Sequence, residues 1–283
     1  MSKETTQISE LKVPESLKET NSDRSWDIKN SYIHYFHSGT YDKRYPCPNR
    51  RTMDIVFGNA DLSKHILDYG CGNGRYTIPL LRNTAAQISV YDTCDFAVKQ
   101  LNERVQSIGL SDRINNLTVE NLFDSKEKYD LILGLFGVLS HINKRDSRVQ
   151  LLKKLFTQLK EEGGLIISVP NSIRRFPVLQ AKYALYRKKG IAGIASEHGD
   201  IKYERKLGGK KTEFYYHLYN TSRLLSEIKQ AGFTTEIITA ESILPESQVV
   251  RSDLKTILDK YLCRLLPAKL GYGLLVVARK KKE

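Results

Sequence analysis

The chain has 283 residues, a formal net charge of +13 and 40% hydrophobic residues. This length suffices for one large α/β domain with insertions and a substantial core. No apolar run approaches the roughly 18 residues of a membrane helix, and the polar start at Met1–Gln7 has no signal core. These features disfavour membrane-spanning and secreted proteins, so we expect a cytoplasmic protein. The four cysteines form no Cys-x-x-Cys pair, so we expect neither disulfides nor a metal site.

The first 60 residues change character along the chain. Residues 1–25 are polar and charged, which predicts a flexible arm. Residues 26–60 begin with an aromatic, helix-like segment that ends near Pro46 and Pro48. Its aromatic residues are Trp26, Tyr32, Tyr35, Phe36, Tyr41 and Tyr45. Two interpretations remain open for this segment: a lid over a ligand cleft, or a helix that only covers a sheet.

The most informative segment is an apolar strand that runs into a glycine-rich turn at a helix start. Residues 65–69 form the strand, and glycines follow at 70, 72 and 74. Glycine adopts backbone angles closed to other residues and leaves room for a ligand against the main chain. The N–H groups at the helix start then face that ligand. A nucleotide-like cofactor is expected here, but Arg75 stands where a dinucleotide fingerprint has its third glycine, so NAD is disfavoured.

A second strand, Gln87–Asp92, ends in an acid at the right spacing to bind a ribose diol. Together the turn and this acid resemble motif I of the class I S-adenosylmethionine-dependent methyltransferases, and the resemblance extends over roughly residues 64–170. It implies S-adenosyl-L-methionine as the cofactor. The family's residues around the methionine part correspond to Asp68, Gly70, Gly72 and Gly74, and its ribose-binding acid corresponds to Asp92. Cys71 lies in the same turn and is expected to be a small buried filler rather than a nucleophile.

Further segments follow in the family's order. Residues 117–122 are predicted as strand three, with Asn121 at the family's adenine position and Leu122 beside it. Residues 129–134 are strand four, followed by Leu135 at the cofactor and by a loop, 137–142, that closes over the sulfonium. A helix with Val149, Leu152 and Leu155 on one face is predicted to stop at Gly163-Gly164. The remaining strands are predicted at 165–169, 234–239 and 272–278. The expected fold is a doubly wound, seven-stranded, mostly parallel α/β sheet, the Rossmann-like methyltransferase fold, over residues 61–283.

Residues 171–219 form an insertion after strand five. It holds eleven Lys and Arg, four acids and eight aromatic residues, and so contributes +7 of the net charge. Basic residues interleaved with aromatics suit nucleic acid, and they also suit a pocket for a small anionic molecule. Because ligands bind beyond the carboxyl ends of the strands, we expect this insertion to cap the substrate. Segments 199–201, 215–219 and 224–233 are similar to the tRNA wobble-uridine carboxymethyl methyltransferases, which implies a modified tRNA uridine as acceptor.

The candidate catalytic residues are His141 in the loop after strand four, His217 in the insertion and Tyr41 in the aromatic segment. For each histidine the alternative is a structural residue bonded to a backbone carbonyl. Residues 254–265 carry one apolar helix face, expected to pack on the domain, with a partner interface as the alternative. Three functions stay open: an RNA methyltransferase, a small-molecule methyltransferase, or a non-catalytic methyltransferase-like subunit.

Overall fold

The computed structural model describes residues 24–123, 128–190 and 197–281. Residues 1–23 of the predicted arm lie outside the described residues, whereas residues 24 and 25 already belong to the first helix. The helices are α1 (Arg24–His37), α2 (Thr40–Arg44), α3 (Arg50–Ala60), α4 (Thr77–Asn83), α5 (Asp95–Ser107), α6 (Arg145–Gln158), α7 (Pro177–Lys188), α8 (Thr221–Gln230), α9 (Glu246–Val249) and α10 (Asp253–Leu265). The strands are β1 (His65–Tyr69), β2 (Gln87–Tyr91), β3 (Ile114–Asn116), β4 (Tyr129–Gly134), β5 (Leu159–Pro170), β6 (Asp200–Leu207), β7 (Lys210–His217), β8 (Thr234–Ser242) and β9 (Gly273–Arg279).

Seven of these strands form one sheet in the order β3-β2-β1-β4-β5-β9-β8. The pairs from β3 through β5 are parallel, and β9 runs antiparallel to both of its neighbours. The fully buried residues Ile66, Leu67, Leu131, Ile132 and Leu133 lie on its two central strands, as expected for a sheet covered on both faces. The predicted seven-stranded, mostly parallel, doubly wound fold is confirmed. None of the helices in the described part of the chain has the length and apolar character needed to cross a membrane.

The predicted third strand at 117–122 is wrong by several residues. Strand β3 ends at Asn116, with Ile114 beside Ile88 and Asn116 beside Val90. Two of its three residues are exposed asparagines because β3 is an edge strand, so the apolar signal used for prediction is absent. Residues 117–120 instead leave the sheet at its carboxyl edge.

The predicted helix stop at Gly163-Gly164 is also wrong. Helix α6 ends at Gln158, and Leu159 already pairs with Tyr129 of β4. Both glycines lie inside β5, where Gly164 pairs with Leu131. The helix ends early because Leu159 is buried against the sheet, only 1% exposed.

Helix α10 does not pack its apolar face on the domain as predicted. Leu254, Ile257, Leu258, Tyr261 and Leu265 are each at least half exposed, from 52% to 79%. The helix is held by its opposite side, where the buried Asp259 carboxylate accepts hydrogen bonds from the backbone N–H groups of Ile243 and Leu244 at 2.9 and 2.7 Å. A buried polar anchor therefore sets the orientation of this helix.

The segment between β5 and α8 forms helix α7 and the antiparallel hairpin β6–β7. This hairpin contacts α1: the ring centroids of Tyr32 and Phe214 are 5.6 Å apart, and those of Tyr35 and Phe214 are 5.7 Å apart. The aromatic residues of the whole segment are mostly turned inward. Those that are buried are Tyr183, Tyr186, Tyr203, Phe214, Tyr216 and Tyr219. The insertion and the N-terminal helices thus share one aromatic core.

Candidate active site

A cavity of about 760 Å³ lies at the carboxyl ends of β1, β2 and β4. This is where parallel α/β sheets bind ligands, because loops from neighbouring strands diverge there. Its lining comes from the turn after β1, the end of β2, the residues after β3 and β4, and helices α1 and α2. Of the residues selected from the sequence, Tyr41, Asp68, Gly70, Cys71, Gly72, Asp92, Leu135 and His141 line this cavity.

The glycine turn has the backbone conformation that its sequence predicts. Gly70 and Gly72 have φ angles of +82° and +52°, which side chains rarely tolerate. A Cβ on Gly70 would collide with the Val138 side chain, and one on Gly72 would lie 3.2 Å from the Phe36 ring. The turn therefore keeps its main chain open to the cavity. Cys71 is 6% exposed in this turn, and burial raises the pKa of its thiol, which suits an inert filler.

Asp92 joins the end of β2 to the glycine turn. Its Oδ2 atom accepts a hydrogen bond from the Gly72 backbone N–H, and its Oδ1 atom accepts one from the Cys94 N–H, each at 2.8 Å. A carboxylate accepts about four hydrogen bonds in all, and the Thr93 N–H is a third backbone neighbour, so part of this capacity stays available. Burial raises the pKa of Asp92, while the backbone donors lower it in part. The side chain is preorganised to accept from a diol in the cavity.

Asp68 has a different environment. Its Oδ2 atom accepts the Thr77 hydroxyl proton at 2.6 Å, and the residue is 3% exposed. Burial raises the pKa of this carboxyl to about 6, with the Thr77 hydrogen bond opposing and the Asp92 charge adding to the shift. Asp68 is therefore a buried hydrogen-bond acceptor beneath the turn, and the pKa of its carboxyl lies about one unit below neutral pH.

An aromatic wall forms one side of the cavity. The ring centroids of Tyr41 and Phe136 lie 6.2 Å apart, and the Arg75 guanidinium lies 4.6 Å from the Phe136 centroid. Arg75 is nearly buried and donates to Glu246 at 2.6 Å. This buried ion pair fixes the wall, because a separated charge in this position would be costly.

The Tyr32 hydroxyl and the His141 Nε2 atom meet inside the cavity at 2.7 Å. The His141 Nδ1 atom is 3.3 Å from the Tyr215 carbonyl oxygen, which can only accept a hydrogen bond. Nδ1 therefore carries the proton, and Nε2 accepts from the Tyr32 hydroxyl. Burial lowers the pKa of His141 to about 4, with the Tyr215 carbonyl opposing this effect, so the imidazole is neutral at physiological pH.

Four of the residues selected from the sequence do not line the cavity: Gly74, Asn121, Leu122 and His217. Gly74 lies where a Cβ would strike the Leu101 side chain, so it serves packing against α5. The Asn121 side chain accepts from the Thr118 backbone N–H at 2.6 Å, and Leu122 is buried in the core. The shift of β3 moves residues 117–120 to the cavity in their place.

His217 is fully buried, and its Nδ1 atom lies 2.7 Å from Asp200 Oδ1. The same carboxylate oxygen accepts the Tyr215 hydroxyl at 2.7 Å. Burial lowers the pKa of His217 despite the Asp200 hydrogen bond. Glu197, Asp200 and His217 have the spacing of a metal cluster, but Glu197 is bound to Arg148 at 2.8 Å. The group is an internal network that ties the hairpin to the core.

Several contributors to the cavity were missed from the sequence, among them Tyr32 as the partner of His141, Arg75 and Phe136 in the wall, and residues 117–120. Tyr32 stood among the aromatic residues of the N-terminal segment, but its partner is 109 positions away. Only the fold brings these two side chains together.

Comparisons with known proteins agree with this geometry. A family model described as a methyltransferase domain matches residues 66–163. No curated protein matches the chain by sequence. Solved structures with the same fold include an S-adenosylmethionine-dependent methyltransferase from Methanosarcina mazei, with 16% identity, a TM-score of 0.58, and 81% of this chain and 98% of that chain covered. A second, from Clostridium acetobutylicum, has 15% identity, a TM-score of 0.58 and 88% and 99% coverage.

A third similar structure is the Burkholderia thailandensis 1,6-didemethyltoxoflavin-N1-methyltransferase with bound 1,6-didemethyltoxoflavin and S-adenosylhomocysteine. It has 15% identity, a TM-score of 0.60, and covers 93% of this chain and 92% of that chain. Residues 66–163 form a methyltransferase domain. The sheet order and the glycine turn with Asp92 give the chain the fold of the class I S-adenosylmethionine-dependent methyltransferases. S-adenosylmethionine is its cofactor, and the open main chain at Gly70 and Gly72 and the Asp92 carboxylate in the cavity lining fit that molecule.

Proposed function

We propose that this enzyme methylates a small molecule held between the glycine turn and the roof formed by α1 and β7. One observation carries the proposal: aromatic side chains of the N-terminal helices line the cavity, and aromatic side chains of the insertion pack behind them. The Tyr32 ring centroid lies 4.9 Å from that of His141, and the His141 centroid lies 4.8 Å from that of Tyr216. An aromatic-lined cavity of this size suits a compact acceptor. The bound compound of the Burkholderia thailandensis enzyme, of similar fold, supports this size class.

The cofactor, when bound, supplies a methyl group made electrophilic by the sulfonium. In our proposal Gly70 and Gly72 lie against its methionine part, Asp92 accepts from its ribose, and residues 117–120 flank its adenine. The roof and the wall of Tyr41 and Phe136 exclude water from the reacting groups, and holding two reactants in place removes much of the entropic barrier. A further catalytic role for Tyr41 stays a prediction.

Tyr32 and His141 are proposed to position the acceptor and take up its proton. Since the Tyr32 proton points to His141 Nε2, the phenol oxygen can only accept further hydrogen bonds. The Tyr216 hydroxyl is one neighbour bonded to it, and the second lone pair is left for an acceptor N–H or O–H. A hydroxyl oxygen or an amide-type nitrogen becomes strongly acidic when it gains a methyl group. The acceptor proton then passes to the Tyr32 oxygen while the Tyr32 proton moves to Nε2. A weak base of pKa about 4 suffices for this. A carboxylate acceptor would need no base, because it is already ionised.

The test follows transfer of radiolabelled methyl from the donor to a metabolite extract and, separately, to bulk tRNA. We expect label in a low-molecular-weight fraction and calorimetric binding of S-adenosylhomocysteine. Label confined to tRNA would overturn the small-molecule assignment. Absence of S-adenosylhomocysteine binding by folded protein would contradict the whole site.

RNA methylation is the second candidate, favoured by the exposed lysines of the insertion, including Lys182, Lys188 and Lys189. The buried aromatics of the hairpin leave few rings for base stacking, which is why we rank it second. If RNA binds there, changing these three lysines to Gln should lower the slope of log affinity against log salt by about 0.7–0.9 for each phosphate that is no longer neutralised. Arg187 is left intact because it donates to the Glu197 carbonyl at 3.2 Å. No tRNA binding by the unaltered protein at low salt would exclude this candidate.

The tyrosine–histidine pair makes a separate prediction. Tyr32→Phe should slow single-turnover methylation by about 100-fold if the pair takes up a proton, with S-adenosylhomocysteine affinity unchanged. By nitrogen NMR, His141 should stay neutral with its proton on Nδ1 from pH 8 down to about pH 5, since its pKa is about 4. The resonance is assigned by its loss in His141→Gln. A midpoint near pH 6.5, or a proton on Nε2, would contradict the arrangement.

A further inference from the structure

A second cavity, of about 400 Å³, lies behind the aromatic wall of the first. Tyr35 and Tyr45 line this second cavity, and their ring centroids lie 5.5 and 5.6 Å from that of Tyr41, which lines the first. We propose that the second cavity binds a phosphate-sized anionic group through Arg44, Arg175 and Arg205. Nothing in the methyltransferase chemistry described above uses these residues.

The three arginines come from three separate parts of the chain. Arg44 ends α2, Arg175 begins the insertion after β5, and Arg205 lies on β6. Among the residues that the structure describes, none of the three forms an ion pair with a carboxylate. A guanidinium group offers five N–H donors in a fork that matches phosphate oxygens. The fold brings three such groups around one cavity. This arrangement is typical of an anion-binding site and differs from a run of neighbouring charges on an exposed surface.

The three arginines contact tyrosine side chains rather than carboxylates. Arg205 donates to the Tyr35 hydroxyl at 2.9 Å and Arg44 to the Tyr45 hydroxyl at 3.0 Å. The Arg175 guanidinium stacks 4.3 Å from the Tyr272 ring centroid, and its buried Nε atom has no hydrogen-bond partner. Aromatic faces hold the planar groups in place but leave most of their N–H donors unused. An anion would satisfy those donors.

The acids near this cavity do not cancel its charge. Glu246 lines it but is paired with Arg75 at 2.6 Å, and Glu204 is paired with Lys211 at 3.2 Å. Burial and the neighbouring Glu246 raise the pKa of Glu241, which interacts with Arg175, to about 8. Glu241 is therefore largely protonated at neutral pH. Lys206 also lines the cavity, so the unpaired groups facing it are positive.

The test measures binding of inorganic phosphate and pyrophosphate to the full chain by calorimetry and by thermal shift. The unaltered protein should bind pyrophosphate and melt at a higher temperature in its presence. Arg175→Gln and Arg205→Gln should each weaken pyrophosphate binding at least about tenfold, because each removes a charge-assisted hydrogen bond. Arg205→Lys should recover only part of the affinity, since it keeps the charge but loses the fork.

The matched control is Arg82→Gln, which removes an exposed arginine on α4 that does not line the cavity. It should leave pyrophosphate affinity unchanged. S-adenosylhomocysteine affinity should also be unchanged in Arg175→Gln and Arg205→Gln, which shows that these variants fold. No pyrophosphate binding by the unaltered protein, or equal losses in Arg82→Gln and the cavity variants, would overturn the proposal.

The anionic group belongs either to the methyl acceptor or to a separate ligand, and one further measurement separates these sources. Labelled product from the metabolite extract is passed over an anion-exchange resin. If the resin retains the product, and pyrophosphate inhibits methylation by the unaltered enzyme but not by the arginine variants, the anionic group is part of the acceptor. A neutral product, with pyrophosphate binding intact, places it on a separate ligand, and both results support the site. Pyrophosphate binding without S-adenosylhomocysteine binding would refute the proposed function and leave this inference standing.

Discussion

Asp92→Asn is expected to weaken S-adenosylhomocysteine binding by about 100-fold. The two carboxylate oxygens each accept one backbone N–H, from Gly72 and Cys94, and the carboxylate lines the cavity. An amide replaces one oxygen with an NH₂ group that cannot accept, and it removes the negative charge, so that neither hydrogen bond to the ribose stays charge-assisted. Charge-assisted hydrogen bonds are worth roughly 1.5–3 kcal/mol each, and two of them correspond to about 100-fold or more in affinity.

Calorimetry with S-adenosylhomocysteine measures this loss. The control is Asp112→Asn, an exposed acid that does not line the cavity, and its dissociation constant should match that of the unaltered protein. Circular dichroism of Asp92→Asn must show a folded chain, because Asp92 also holds the turn. A folded variant with an unchanged dissociation constant would reduce Asp92 to a structural role.

Arg148→Met is expected to lower the free energy of unfolding by about 3–5 kcal/mol, the cost of leaving a buried charge without its partner. Arg148 is fully buried and donates to Glu227 at 2.9 Å and to Glu197 at 2.8 Å. It also donates to the Ile142 carbonyl at 3.3 Å, beside His141. Without Arg148, the fully buried Glu227 carboxylate retains the Tyr219 hydroxyl at 2.8 Å and no cation among the described residues.

Urea unfolding followed by circular dichroism measures this effect. Lys153→Met, an exposed change on the same helix, should stay within about 0.5 kcal/mol of the unaltered protein. The double variant Arg148→Met with Glu227→Leu should recover most of the loss, because apolar pairs often replace buried ion pairs without penalty. A single-variant loss below about 1 kcal/mol would show that the network is hydrated or relaxes.

Local sequence alone determined the sheet and the cofactor turn. The apolar strands around Leu67 and Leu131 carry a periodicity that follows from burial on both faces, and Gly70 and Gly72 mark backbone angles that only glycine adopts without strain. Asp92 was found for the same reason, since a strand end and its distance from the turn are both properties of neighbouring residues. Strand β3 was misplaced because an edge strand such as Asn115–Asn116 needs no apolar side chains.

The tertiary structure decided everything that depends on residues far apart in the chain. The sequence selected His141 but not Tyr32, whose hydroxyl reaches it only because the hairpin β6–β7 presses α1 over the cavity. His217 was selected as a catalytic candidate, but it is buried and hydrogen-bonded to Asp200. The apolar stripe of α10 was identified from its spacing, but its direction was set by Asp259, which binds the backbone of the β8–α9 connection. Periodicity shows which residues share a face, whereas the partner of that face depends on contacts formed only when distant segments pack together.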